Sequence, residues 1–283
     1  MKAYLWTKLK SRLQFIKSDS TANYNWLFLA GGPGLGSESL APLSNLLTLP
    51  GTIWHLDLPG DGSNLTIDDE SFFAAWADAL LEAVSAFENV ILVAHSTGGM
   101  YALSVPELET HLRGLVLMSS APDALWQEEF IKYVLSHPLD SLTEARKNQL
   151  TAEYQLAPNN DLLKEITLCC ASYSFTPKGL TKGIDLFKTL PYNFRSCLWS
   201  EKNFDSNYSA KWIPQRIPTL IFNGEEDKIV RLKYFIQDDH FKRKNIKIQS
   251  IPEAGHYPWL DNPDAVVEAF RNYCKQLAND ENN

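Results

Sequence analysis

The sequence has few cysteines and no cysteine spacing typical of a metal site or a redox pair. Its 4 cysteines include no C-x-x-C motif, and the adjacent pair Cys169 and Cys170 is not expected to form a disulfide with itself. We therefore expect reduced, buried thiols and a cytoplasmic location. The 6 histidines are scattered, with neither H-E-x-x-H nor paired ligand spacing, so no metal is expected.

Long apolar runs and an excess of positive charge are also missing. No run approaches the ~18 consecutive apolar residues of a membrane span. The first residues contain no apolar core of a signal peptide. Lys and Arg number 26 against 34 Asp and Glu, which gives a net charge of -8. Neither nucleic acid nor an anionic membrane surface is therefore expected as a partner.

Short apolar runs bounded by turn residues are plentiful in this chain of 283 residues. They are too short for helices and too continuous for half-exposed strands, so they predict buried parallel strands. These runs lie at residues 26–30, 52–56, 90–94, 115–119, 219–223 and 246–251. Residues 3–17 predict an antiparallel hairpin at the edge of the same sheet.

Apolar residues at helical spacing lie between or after several of these runs. Residues 71–87 predict a helix that Ser71 would cap, and residues 264–277 predict another, with Val266 and Phe270 four apart on one face. Strands that alternate with helices predict an α/β fold, a mostly parallel sheet with right-handed crossovers and helices on both faces.

Residues 122–214 interrupt this alternation. They are bracketed by Pro122 and Pro214, are richer in aromatic and helix-forming residues, and contain no convincing buried strand. We predict a mostly helical insertion between two strands of one sheet. The predicted organisation is therefore a core domain of residues 1–121 and 215–283 and a helical domain of residues 122–214.

A glycine-rich turn, AGGPG at residues 30–34, follows the first predicted buried strand. It is not a dinucleotide fingerprint, because Ser37 stands where G-x-G-x-x-G needs its last glycine, and no Walker lysine follows. Glycine lets backbone N–H groups approach a ligand closely. Since Pro33 has no N–H, Gly32 is the predicted donor, and a plain tight turn is the alternative.

A second turn, AHSTGG at residues 94–99, differs from the G-x-S-x-G nucleophile elbow only by Ala94. The elbow needs small residues two before and two after its serine because strand and helix pass close together there. Such a turn raises the Ser96 hydroxyl above the sheet and directs the Thr97 N–H toward a bound acyl oxygen. The alternative is an ordinary helix cap. We predict that His95 packs beside the serine without reacting.

An acid and a histidine follow the last two predicted strands. We predict Asp227 as the acid that orients a histidine, with its neighbours Glu225 and Glu226 as solvated loop charges. His256 follows the last strand in a loop. The order Ser96, Asp227, His256 is the one seen in α/β-hydrolases and differs from the orders in chymotrypsin and subtilisin.

Together these segments resemble the α/β-hydrolase fold superfamily over nearly the whole chain. The resemblance is carried by residues 30–34, 57–63, 95–99, 224–227 and 255–258. It implies a mostly parallel central sheet flanked by helices, with residues 122–214 as a helical cap inserted after the sixth strand. The segment DLPGDGS at residues 57–63 resembles the family loop D-x-P-G-x-G-x-S, which implies a structural role.

The resemblance implies a cofactor-independent serine hydrolase. Ser96 would be the nucleophile and His256 the general base that Asp227 orients, while the N–H groups of Gly32 and Thr97 would bind the oxyanion. The expected substrate is a small or medium carboxylic ester or thioester, or a short peptide. No oligomeric state is predicted.

Residues 31–34 also resemble part of the H-G-G-P-G motif of prolyl aminopeptidases. Ala30 replaces the histidine of that motif, and no tryptophan follows Ser96. Such a peptidase would need cap carboxylates for the free amine of its substrate, and the candidates are Glu128, Glu129, Glu144 and Glu153. The resemblance is also compatible with a carbon–carbon bond hydrolase and with a non-catalytic binding protein of the hydrolase fold.

Overall fold

The computed structural model describes residues 3–32, 34–65 and 70–281. Within these residues eight strands form one sheet, in the order β1-β2-β4-β3-β5-β6-β7-β8. Their bounds are β1 Tyr4–Trp6, β2 Arg12–Asp19, β3 Asn25–Leu29, β4 Gly51–Asp57, β5 Val90–His95, β6 Leu112–Met118, β7 Thr219–Gly224 and β8 Ile246–Ile251. The pairs β1–β2 and β2–β4 are antiparallel, and the other pairs are parallel.

The six predicted strands are β3 to β8, and the predicted edge hairpin is formed by β1 and β2. The prediction of burial was wrong for β8, because it lies at the edge of the sheet and only its end residues Ile246 and Ile251 are buried. Every residue of β5 and β7 is buried, because helices cover both faces of the sheet. The mostly parallel α/β fold is therefore confirmed.

All four cysteines are free thiols, and each is partly exposed, so the prediction that they are buried was wrong.

Helices and single turns connect the strands. The α-helices are α1 Ala41–Leu46, α2 Glu70–Ala74, α3 Trp76–Ser85, α4 Thr97–Ala102, α5 Leu108–His111, α6 Leu125–Ser136, α7 Ser141–Leu156, α8 Asn160–Cys169, α9 Ala171–Ser174, α10 Leu180–Thr189, α11 Phe194–Asn203, α12 Lys233–Gln237, α13 Pro258–Asp261 and α14 Pro263–Glu281. Short 3-10 turns lie at Ser37–Leu40, Asp205–Asn207 and Asp239–Phe241. No helix among the described residues is long and apolar enough to cross a membrane.

The helix predicted at residues 71–87 is interrupted. The structure has α2 and α3 with Ala75 between them, and Ser71 lies inside α2, so it is not the predicted N-cap. The two helices have different neighbours, since α2 contacts α11 and α3 contacts α5. Phe73 of α2 lies so close to Gly60 that a Cβ there would be 2.0 Å from its ring. Helix α14 agrees with its prediction, and Val266 and Phe270 are both buried.

Between β6 and β7 the chain forms the six helices α6 to α11. The predicted helical insertion after the sixth strand is therefore present, and it leaves and re-enters the sheet at neighbouring parallel strands. We call residues 122–214 the cap, although their status as a separate domain stays a prediction. Phe175, Phe187 and Tyr192 of the cap share one buried apolar cluster with Tyr257 and Trp259 of the core.

Candidate active site

The chain turns sharply at Ser96, directly after β5 and before α4. Ser96 has φ 51 and ψ -123, a conformation that is strained for a residue with a side chain. Its N–H donates a hydrogen bond of 2.8 Å to the carbonyl of Met118 at the end of β6. The neighbouring strand thus holds the turn, and this geometry is that of the predicted elbow.

The glycine-rich turn after β3 packs backbone to backbone against this elbow. A Cβ at Gly98 would lie 2.4 Å from the carbonyl oxygen of Ala30. A Cβ at Gly31 would lie 2.5 Å from the Cβ of Ser96 and 2.9 Å from the nitrogen of Thr97. The contact leaves no room for larger residues at these positions, which explains the small residues in both turns.

The structure brings Ser96, Asp227 and His256 together from three loops at the carboxyl edge of the sheet. His256 Nε2 lies 3.1 Å from Ser96 Oγ, and His256 Nδ1 donates to Asp227 Oδ2 across 2.9 Å. A neutral imidazole with its proton on Nδ1 accepts at Nε2, so Ser96 can donate its hydroxyl proton there. All three residues are buried.

Asp227 is held in place by the loop that follows it. Its Oδ1 accepts hydrogen bonds from the N–H groups of Ile229 at 2.9 Å and Val230 at 3.0 Å, which leaves Oδ2 for the histidine. Glu225 and Glu226 are exposed. The structure therefore pairs His256 with the acid that the sequence predicted and leaves both glutamates at the surface.

The main chain of His256 is fixed on both sides. Its N–H donates to the carbonyl of Ser174 in the cap at 2.8 Å, and its carbonyl accepts from His95 Nε2 at 2.9 Å. Burial and the neighbouring His256 lower the pKa of His95 well below its usual value, which keeps His95 neutral. Packing of His95 beside the serine was predicted, whereas its hydrogen bond to His256 has no signal in the sequence.

Gly32 and Thr97 lie on the two turns that face each other. Gly32 has φ 60, in the left-handed region that favours glycine, and Thr97 is the first residue of α4. Within the described residues, neither N–H donates a hydrogen bond to a protein acceptor. Both groups therefore remain available to a ligand oxygen. Pro33, which directly follows Gly32, lies outside the described residues.

The loop at residues 57–63 contains two different carboxyl groups. Asp57 is fully buried and accepts from Arg12 at 2.7 Å and from the N–H of Ser37, which is the structural role that the resemblance implies. Asp61, which sequence reasoning missed, accepts from the N–H of Gly34 at 3.1 Å. Desolvation raises the pKa of Asp61 to about 7.

The four cap glutamates that could have bound a substrate amine already have side-chain partners. The pairs are Glu128 with Lys132, Glu129 with Arg231 and Lys233, Glu144 with Lys147, and Glu153 with Gln149. In the described part of the chain, no three His, Cys, Asp or Glu side chains converge in a way that could hold a metal ion.

A sequence profile described as the alpha/beta hydrolase family matches residues 26–269. The chain belongs to this family. The match begins within β3, ends within α14 and includes Ser96, Asp227 and His256.

The known proteins that are similar to this chain in sequence or fold are named for several different activities. Epoxide hydrolase 3 of Xenopus tropicalis is 23% identical over 213 residues, or 67% of this chain and 54% of that protein. The chain thus spans about half the length of this curated relative. A proline iminopeptidase-related protein of Thermus thermophilus has a TM-score of 0.72 at 20% identity, with 98% of both chains covered. A thermophilic esterase of Thermogutta terrifontis has a TM-score of 0.67 at 16% identity, covering 98% of this chain and 99% of that chain. At these identities the two structural likenesses establish the fold alone.

Proposed function

We propose that this hydrolase-family chain is a cofactor-independent serine hydrolase that cleaves a carboxylic ester or thioester of small or medium size through an acyl-enzyme. The observation that carries the proposal is the continuous chain of hydrogen-bond contacts from Ser96 Oγ to His256 and from His256 to Asp227, at 3.1 Å and 2.9 Å. This is the arrangement in which a histidine activates a serine hydroxyl while an acid fixes its tautomer.

In this mechanism Ser96 Oγ attacks the acyl carbonyl while His256 Nε2 takes its proton. Asp227 stabilises the imidazolium that forms, and the N–H groups of Gly32 and Thr97 donate to the oxyanion. His256 then protonates the leaving alcohol or thiol. A water molecule, deprotonated by His256, then attacks the acyl-enzyme, and the carboxylic acid product leaves Ser96. Each oxyanion donor is expected to stabilise the transition state by about 3–4 kcal/mol.

Peptidase activity is the second candidate, because the fold resembles a proline iminopeptidase-related protein and the glycine-rich turn resembles that of prolyl aminopeptidases. A free substrate ammonium needs an unpaired carboxylate nearby, since burying it alone carries a large desolvation penalty. The four candidate glutamates of the cap are paired with other side chains. We therefore favour the ester.

The proposal is tested by comparing a short-chain 4-nitrophenyl ester with proline 4-nitroanilide as substrates. We expect ester hydrolysis by the wild type, little or no release from the anilide, and no turnover by Ser96→Ala. The exposed cap residue Ser206 supplies the control, because Ser206→Ala makes the same chemical change outside the site.

Efficient release from the anilide with poorer ester hydrolysis would move the assignment to a peptidase. No turnover of either substrate by correctly folded protein would favour a non-catalytic binding function.

A further inference from the structure

The short cap helix α9 and the residues after it contact both loops that hold the proposed acid and base. The carbonyl of Ser172 accepts from Lys228 Nζ at 2.9 Å, and Lys228 directly follows Asp227. The carbonyl of Ser174 accepts from the N–H of His256 at 2.8 Å. This segment of the cap is therefore part of the support of the site.

One carboxylate, Asp261 at the end of α13, joins the cap to the histidine loop. Its Oδ2 accepts from the N–H of Gly255 at 2.8 Å, the residue before His256. Its Oδ1 accepts from the N–H of Thr176 at 3.1 Å and from Thr176 Oγ1 at 2.7 Å. Both oxygens of a single side chain thus hold the histidine loop against the cap. We call Thr176 and Asp261 the clamp.

Asp261 is fully buried, and within the described residues it has no cationic partner. Hydrogen bonds from neutral donors are what stabilise its charge there, and a buried charge that lost one would be strongly destabilised. The backbones around it are also tightly packed. A Cβ at Gly255 would lie 2.7 Å from the carbonyl oxygen of Ser174, and a Cβ at Gly179 would lie 2.1 Å from Asp261 Oδ1. The clamp therefore has little freedom to shift.

We propose that Thr176 and Asp261 are positioning residues for the base. They hold Gly255 and His256 against the cap, so that His256 Nε2 stays within reach of Ser96 Oγ. The inference rests on the proposed function, in which His256 is the base. It assigns the cap a part in catalysis, because cap residues then hold the loop that carries the base.

The test compares Thr176→Val, which keeps the shape but loses the hydroxyl donor, with Thr176→Ser, which keeps the donor. Thr151→Val is the matched control, because the Thr151 hydroxyl donates only along its own helix, to the carbonyl of Lys147. Two quantities are measured: the hydrogen exchange rate of the His256 amide, and kcat and KM for the ester.

For Thr176→Val we expect about tenfold faster exchange at the His256 amide and about a tenfold lower kcat, with KM nearly unchanged. Thr176→Ser and Thr151→Val should stay within about twofold of the wild type. If Thr176→Val does not fold, Asp261→Asn keeps the shape and one carbonyl acceptor, and the same changes are expected.

Wild-type exchange at the His256 amide in both Thr176→Val and Asp261→Asn would overturn the proposal. Faster exchange with an unchanged kcat would also overturn it, because the clamp would then exist without positioning the base. A wild type inactive on esters would refute the proposed function and with it the positioning role. The exchange rates need no substrate, so they would still show whether the clamp exists.

Discussion

His95 donates a hydrogen bond from Nε2 to the main-chain carbonyl of His256 across 2.9 Å, although the two residues are 161 positions apart in the chain. His95 directly precedes Ser96, so this bond ties the strand that carries the proposed nucleophile to the loop that carries the proposed base. A neutral imidazole has a single N–H, and this bond uses it. The low pKa of His95 ensures that it stays neutral.

Loss of this donor is expected to lower kcat more than it changes KM. His95→Phe keeps a planar ring but no N–H, and we expect kcat to fall about tenfold because the carbonyl of His256 loses its buried partner. His95→Gln can still donate and should recover part of the rate. Steady-state kinetics on the ester measure both variants. Equal kcat in His95→Phe and wild type would show that the bond has no part in positioning the base.

Asp227 is expected to matter far more than its acidic neighbours. Asp227→Asn should lower kcat about 100-fold or more, because an amide neither fixes the Nδ1–H tautomer of His256 nor stabilises the imidazolium. Glu226→Gln, at an exposed position in the same loop, is the matched control and should stay within about twofold. The two kcat values decide the assignment. A larger loss in Glu226→Gln than in Asp227→Asn would refute it.

The close contact between the two turns predicts that Gly98→Ala is destabilising. Its Cβ would meet the Ala30 carbonyl at 2.4 Å, and we expect a loss of about 1–3 kcal/mol in the free energy of unfolding, together with lower activity. Ala94→Gly is the control, since it restores the family motif and removes an atom instead of adding one. Denaturant unfolding measures both. An unchanged free energy of unfolding in Gly98→Ala would contradict the contact.

Asp61 predicts a pH dependence of stability. Desolvation and the neighbouring carboxyl groups of Asp57 and Glu38 raise the pKa of Asp61 from 3.8 to about 7. The folded protein therefore keeps a proton that the unfolded chain releases, and this carboxyl lowers stability progressively as the pH rises between these two pKa values. Asp61→Asn removes the titration and keeps an oxygen that can accept from Gly34.

We expect Asp61→Asn to be stabilised relative to the wild type at about pH 8, with a smaller stability difference at about pH 5. Thermal unfolding at the two pH values measures that difference. Glu88→Gln removes an exposed carboxyl and controls for the change in net charge. A stability difference that is the same at both pH values would show that Asp61 does not titrate in this range.

The central strands could be predicted from the sequence because they are buried on both faces and appear as nearly uninterrupted apolar runs. The strand predicted at residues 219–223 matches β7 within one residue, and the bounds predicted for the edge strand at 246–251 match β8, although most of β8 is not buried. The elbow was also predictable, because its small residues at Ala94 and Gly98 reflect a local steric requirement. Such features are encoded within a few neighbouring positions.

The remaining features depend on pairs of residues that are far apart in the chain. Phe73 of α2 packs on Gly60, and the clamp joins Thr176 to Asp261 across 85 positions. One sequence contains no signal that pairs such side chains. Among the cap glutamates only Glu129 is of this kind, because its partners Arg231 and Lys233 lie beyond the cap, whereas Glu128, Glu144 and Glu153 have partners within four residues of them.

The most direct test of the central claim is covalent labelling with a fluorophosphonate, which reacts with an activated serine. Folded wild-type protein should gain one label per chain, and peptide mass spectrometry should place that label on Ser96. Ser96→Ala should gain none, and His256→Ala should react far more slowly, because its serine has lost the base. Folded wild-type protein that stays unlabelled, or a label mapped to another residue, would contradict the assignment of Ser96 as the nucleophile.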